Sequence, residues 1–311
     1  MDFLSVQNLN TVYNTEKGSV NAVQNVSFSI SSGESIGIVG ESACGKSTLG
    51  LSIIRTIPGG TIQSGTVMID GKSILDISDE EFDSKYRWKQ ISMIFQGAMN
   101  SLDPVYTISQ QFSEVLKQHQ LNQNHKNLMK SLLNQVGLDE SVLTKYPHEL
   151  SGGMKQRVII AMALLLKPKL VIADEPTTAL DVLVQSQILN LFKSLKKQGV
   201  SFVVISHDLA VISEICEKIG IMYAGQMVEF GIAQQILQNP KHPYTQALIK
   251  SIPRLHDTAK PQYIVGTPPS LLNPKPGCRF ADRCPQVIDK CKNDTIHTKT
   301  DSGYVQCWLY E

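Results

Sequence analysis

Nine residues, Gly40, Glu41, Ser42, Ala43, Cys44, Gly45, Lys46, Ser47 and Thr48, spell G-x-x-x-x-G-K-S/T. They come directly after the apolar run Ser35–Val39 and open a helical pattern over Lys46–Ile54. Few folds accept a strand, a glycine-rich loop and a helix in that order. Glycines let successive backbone N–H groups curl around phosphate oxygens. The start of a helix adds partial positive charge. The expected ligand is ATP, with Lys46 reaching the β- and γ-phosphates and Ser47 binding Mg²⁺.

Around this loop the chain alternates. Apolar runs at Ser35–Val39, Ile91–Phe95, Leu170–Ala173, Phe202–Ile205 and Ile219–Met222 read as short buried strands. Helical patterns fall at Lys46–Ile54, Met154–Leu166, Val182–Lys197 and Leu209–Cys216. Such alternation predicts an α/β fold on a mainly parallel sheet. Ser27–Ile30 and Thr66–Ile69, the latter followed by an Asp70-Gly71 turn, predict antiparallel strands near the N-terminus. Residues 97–167 predict an inserted helical subdomain. Prolines crowd the chain after Gly231, among them Pro253 and Pro261, so a loop-rich extension is expected there. The expected division is a domain over 1–250 and an extension over 251–311.

A second acidic motif supports hydrolysis. Leu170-Val171-Ile172-Ala173-Asp174-Glu175 is a buried-strand pattern ending in two carboxylates. Asp174 is placed to hold the Mg²⁺ shell, and Glu175 to polarise the attacking water. The plainer reading of such a pair is a solvated loop charge.

The segment Leu150-Ser151-Gly152-Gly153-Met154-Lys155-Gln156-Arg157 resembles the signature motif of ABC-type ATPases. The rest of that set follows the same order. Gln96 resembles the Q-loop glutamine, Ala179-Leu180-Asp181 the D-loop, and His207 the switch histidine. Tyr13 stands where the family places an aromatic against adenine. The resemblance spans about residues 1–250. It implies a RecA-like P-loop core and a dimer in which Ser151, Gly152, Gly153 and Asp181 face the nucleotide held by a second ATPase subunit. It also adds Gln96 to the Mg²⁺ ligands, and Lys46, Gln96, Glu175 and His207 to the catalytic set.

Two further stretches narrow the branch. Gln96-Gly97-Ala98-Met99-Asn100-Ser101-Leu102-Asp103-Pro104 and His242-Pro243-Tyr244-Thr245-Gln246-Ala247-Leu248 resemble ATP-binding subunits of oligopeptide, dipeptide and nickel importers. The implied partners are two transmembrane permease subunits, a homologous or paralogous ATPase and, indirectly, an external solute-binding protein. The implied place is the cytoplasmic face of the membrane. Nickel, metal-chelate or sugar cargo remains an alternative, as does a soluble ABC ATPase acting on nucleic acid or the ribosome. The formal net charge of +1 and the absence of a basic stripe argue against a nucleic-acid partner. Lys193, Lys196 and Lys197 end a predicted helix and read as a solvated cluster. The N-terminus shows no signal-peptide pattern. The longest apolar stretch, Val158–Leu166, falls well short of the roughly 20 residues that cross a bilayer.

Six cysteines remain, and free thiols are the expectation. Cys44 lies in the loop, near a helix N-terminus and a lysine, a setting that lowers a thiol pKa. The plainer reading is a small filler residue; the sharper one is that alkylating Cys44 blocks nucleotide binding. Cys278, Cys284, Cys291 and Cys307 are spaced C-x5-C-x6-C-x15-C. Four thiolates suit an iron–sulfur cluster or tetrahedral zinc. Some dipeptide-importer ATPases resembling this chain carry a 4Fe–4S cluster in this tail after a Gly277-Cys278-Arg279-Phe280 type of sequence. That favours the cluster, with zinc or four unligated thiols as alternatives. His119, His125, His148 and His256 have no ligand spacing with these cysteines.

Overall fold

The structure is a computed structural model describing residues 2–120, 125–178, 180–251 and 264–311. Ala179, Pro253, His256 and Pro261 lie outside the described residues. In chain order the strands are β1 (Asp2–Thr15), β2 (Gly18–Ser31), β3 (Ser35–Val39), β4 (Gly60–Ile69), β5 (Lys72–Ser73), β6 (Ile91–Ile94), β7 (Leu170–Asp174), β8 (Ser201–Ile205), β9 (Lys218–Tyr223), β10 (Gln226–Ile232), β11 (Thr298–Thr300) and β12 (Gly303–Val305). The α-helices are α1 (Lys46–Ile53), α2 (Asp79–Lys85), α3 (Ile108–Gln118), α4 (Lys126–Gln135), α5 (Gly152–Ala163), α6 (Val182–Lys197), α7 (Leu209–Ile215), α8 (Ala233–Gln238) and α9 (Pro243–Lys250).

Two compact units divide the chain: Met1–Ser31, Ser35–Leu75 and Ser206–Glu311 form the first, Ser32–Glu34 and Asp76–Ile205 the second. In the first, β2-β1-β4-β5 form an antiparallel sheet. The first unit also carries the order β11-β12-β10-β9-β3, in which β3 and β9 run parallel. All five residues of β3 are buried, as an apolar run covered on both faces requires. The sequence shows only the ends of β2 and β4. Their pairing with β1 is broken by several register shifts, and Asn8 and Asn25 adopt positive φ, 48° and 51°. Such irregularities break the period-two alternation that marks a strand.

In the second unit β6, β7 and β8 are parallel neighbours. Both β7 and β8 are buried along their whole length. Helix α6 buries Ile188, Leu189, Leu191, Phe192 and Leu195 on one face. Phe192 stacks on Phe202 of β8, ring centroids 4.8 Å apart, and full burial of such a ring contributes about 1.5–3 kcal/mol. A capping box at Thr107 and Gln110 starts α3.

The tail is more ordered than its prolines suggest. Helices α8 and α9 form, and β12 pairs with β10 through Val305 opposite Glu229 and Tyr304 opposite Phe230. Three-residue strands are too short to show a period in sequence. Among the described residues no helix is long and apolar enough to cross a membrane.

Candidate functional site

The phosphate loop runs from β3 to α1. Gly45 is the N-cap of α1, at φ 100° and with no side-chain cap. The first-turn N–H groups of a helix left in this way are donors for an anion. The two glycines are set by close backbone approach. A Cβ on Gly45 would fall 1.9 Å from the Ala22 carbonyl oxygen, and one on Gly40 2.1 Å from that of Met222. Ala43 takes positive φ, 60°, and is exposed beside Ser42. Lys46 is buried, and its Nζ donates to the carbonyls of Gly40 and Glu41, 2.9 Å each. Ser47 and Thr48 are half-buried in the first turn of α1. Tyr13, half-buried on β1, places its hydroxyl 3.3 Å from Thr48 Oγ1. These residues fit a nucleotide's phosphates: a cradle that Cβ atoms would fill, and an ammonium folded against it.

Cys44 follows the plainer of its two readings. Its side chain is buried, and burial pushes the thiol above its ordinary range against the pull of Lys46. Sulfur and lysine are 3.9 Å apart, too weak an interaction to offset desolvation. The thiol is a packed filler under the loop, not an activated nucleophile.

His207, also in the first unit, is exposed. Its neighbours are fixed. Ser206 N–H donates to the Ile38 carbonyl (3.1 Å), and Asp208 caps α7 by accepting from Ala210 N–H (2.8 Å).

The second unit gathers the remaining motif residues. Asp174, at the end of β7, is 3% exposed. Glu175 sits at φ 49°, a conformation costing a non-glycine residue about 1–3 kcal/mol. The turn is held because Glu175 N–H donates to the Ile205 carbonyl (2.9 Å), while Glu175 Oε2 accepts from Thr178 Oγ1 (2.9 Å). Ser151 caps α5, accepting from Met154 N–H at 3.3 Å. Asp181 caps α6, accepting from Val184 N–H at 2.9 Å. The two caps are close: a Cβ on Gly153 would meet Val184 Cγ1 at 2.8 Å. Gly152 lies against Met99, three residues after the exposed Gln96. Gln156 Nε2 donates to the Pro176 carbonyl (2.8 Å), tying α5 to the segment after Glu175.

Cys278, Cys284, Cys291 and Cys307 line one small cavity with His242, Phe280 and Trp308. No disulfide joins them. Burial pushes Cys278 up to about 11 and raises Cys284 and Cys307. Among the described residues no three side chains converge as ligands of a single metal ion.

Sequence spacing gives no sign of two residues the structure sets beneath the loop. Tyr244, on α9, accepts from Glu41 N–H at 3.0 Å. Arg283, in the tail, pairs with the Glu41 carboxylate at 3.0 Å.

Phosphate loop, parallel strands and capped glycine pair define an ATP-binding cassette. Comparison with known proteins agrees. The ABC transporter family matches residues 23–178, and the oligopeptide/dipeptide transporter C-terminal region matches residues 228–291. The dipeptide transport ATP-binding protein DppD of Bacillus subtilis is 43% identical, over 99% of this chain and 95% of that protein. The oligopeptide transport ATP-binding protein AppD of the same organism is also 43% identical, over 99% and 97%. Among solved structures, the cassette MJ0796, seen as a dimer bound to ADP and phosphate, superposes with a TM-score of 0.66. It is 28% identical, over 74% of this chain and 98% of that one. The cassette cbiO1 of Clostridium perfringens gives 0.67 at 29% identity, over 76% and 91%. The chain belongs to the ATP-binding subunits of ABC transporters, in the dipeptide and oligopeptide branch, and is an ATPase.

Proposed function

We propose that this chain is the motor of a peptide importer. The observation that carries the reading is near-full-length identity to dipeptide and oligopeptide transport subunits, tail included. ATP lies in the loop Gly40–Thr48 with Tyr13 against the adenine. Lys46 leaves the Gly40 and Glu41 carbonyls for the β- and γ-phosphates. By the family resemblance Ser47, Gln96 and Asp174 would hold Mg²⁺, which would neutralise phosphate charge. Glu175 orients and polarises the attacking water, and His207 reports the γ-phosphate. Ser151, Gly152, Gly153 and Asp181 complete the nucleotide site of a second ATPase subunit, so closure of the dimer follows ATP binding. Two permease subunits carry the dimer at the cytoplasmic face of the membrane, and an external binding protein delivers the solute.

We propose that the four tail cysteines hold a 4Fe–4S cluster. A cluster spreads its thiolates around a cube rather than drawing them to one ion, and here four thiols ring one cavity. The raised thiols require that binding release protons.

The test is reconstitution with two permease subunits and an external binding protein of the peptide-importer type. Di- or oligopeptides should stimulate ATP turnover. Glu175→Gln should cut it at least about 100-fold while trapping an ATP-bound dimer. Stimulation by nickel or a sugar but not by peptides overturns the cargo, and wild-type turnover of the variant removes Glu175 as the base. Chain purified without oxygen should be brown, with about four irons per chain. A colourless, iron-free preparation removes the cluster.

A further inference from the structure

The second residue of the phosphate loop is gripped from far along the chain. Glu41 N–H donates to Tyr244 Oη at 3.0 Å, so this amide is engaged away from the nucleotide. Its carboxylate accepts from Arg283 Nη1 at 3.0 Å, and the same nitrogen donates to Tyr223 Oη at 3.1 Å. The remaining guanidinium donors are also used. Nε donates to the Val265 carbonyl at 3.0 Å and Nη2 to that of Ile264 at 3.2 Å. The ion pair is shielded, its side chains 7% exposed for Arg283 and 23% for Glu41. Around it the rings of Tyr223, Tyr244 and Phe280 pack at centroid separations of 4.6 to 5.4 Å. One turn earlier in the same segment Arg279 bonds the Ala224 carbonyl and Gln24 Oε1, while Gly225 N–H donates to the Cys44 carbonyl at 2.8 Å.

A carboxylate in a loop built for a polyanion is a liability. It repels the phosphates unless a cation neutralises it and holds it aside. We propose that Arg283 is a positioning residue for ATP. It neutralises Glu41 and keeps that carboxylate on the tail side of the loop, while Tyr244 fixes the Glu41 backbone. The tail thereby sets nucleotide affinity without touching the nucleotide. The proposal rests on the reading that Gly40–Thr48 holds ATP.

The experiment is titration of the full-length chain with Mg-ATP, alongside steady-state turnover in the reconstituted complex. Arg283→Met should weaken ATP binding about 10-fold, the scale of an exposed partner charge in a partly buried pair. The effect should fall on KM, with kcat within about twofold. Adding Glu41→Gln to Arg283→Met should return affinity to within about twofold of wild type, since the repelling charge is gone. Normal affinity in Arg283→Met overturns the proposal, as does a double variant as weak as Arg283→Met alone. If Arg283→Met does not fold, Arg283→Lys serves. It keeps the charge but loses the bonds to the Val265 and Ile264 carbonyls that aim it, so binding should weaken about threefold and be restored by Glu41→Gln. Absence of that restoration overturns the proposal equally. Lys46→Ala separates the two readings. ATP binding that survives it removes the loop as the nucleotide site, whatever Arg283 does.

Discussion

Helices α1 and α5 both begin on glycine-rich turns, yet their starts are built in opposite ways. At α1 the cap is Gly45, left-handed and without a side-chain acceptor, backed so closely by Ala22 that no Cβ fits. At α5 the cap is Ser151, extended at φ −66° and already accepting from Met154 N–H. Ser151 and Gly152 are exposed, and Gly153 meets only a movable valine side chain. The first start is a cradle whose backing is backbone of the same chain. The second is an open, self-capped surface, suited to a group carried in by another subunit. Glycine at the first is a demand of backbone contact; at the second it keeps the surface low.

The comparison can be broken most severely at Gly45. Gly45→Ala adds strain at positive φ and a collision with backbone, so ATP affinity should fall at least about 100-fold with a clear loss of thermal stability. Titration and a melting curve check this, and normal affinity would show the loop to be more yielding than described. A third helix start sharpens the contrast through pH. Helix α9 is capped by His242, whose Nδ1 accepts from Tyr244 N–H at 3.0 Å. Burial pushes this histidine down to about 3, so the folded protein holds it neutral while the unfolded chain protonates near 6.5. Stability is therefore full above about pH 6.5 and falls toward pH 3, by at most about 1.4 kcal/mol per pH unit from this group. The neighbouring Glu229 carboxyl, raised by burial, acts in the opposite sense. Comparing wild type with His242→Asn, which keeps a capping acceptor, isolates the histidine. The variant should show the flatter acid limb in denaturant titrations. The smallest effect belongs to α5. Ser151→Ala should cost about 1 kcal/mol of stability and leave ATP binding to the isolated chain unchanged, while turnover of the dimer falls. Weaker ATP binding by the isolated variant would mean that α5 serves its own nucleotide.

The contrast also explains what could be read from sequence. Strands β3 and β8 and helix α6 are uninterrupted apolar or amphipathic patterns, so their places are plain in the chain. The phosphate loop is legible because every part of its chemistry lies within nine consecutive residues. Cys44 allows two readings because its neighbours in sequence suggest activation, while the packing of Gly40 and Tyr244 around it decides burial. The brace at Glu41 is invisible for a related reason: Arg283 lies 242 residues away. Contacts of that separation leave no periodic trace.

The pairing of β12 on β10 has a colloidal consequence. Strand β10 contains Met227, Val228 and Phe230, and without a neighbour it would offer a long apolar edge. The tail pairs with that edge from Val228 to Phe230 and leaves β11 outermost, three residues long with exposed Lys299 at its centre. An edge so short and charged is a poor template for another chain. The tail that reaches the nucleotide loop through Arg283 therefore also shortens the sheet edge open to another chain.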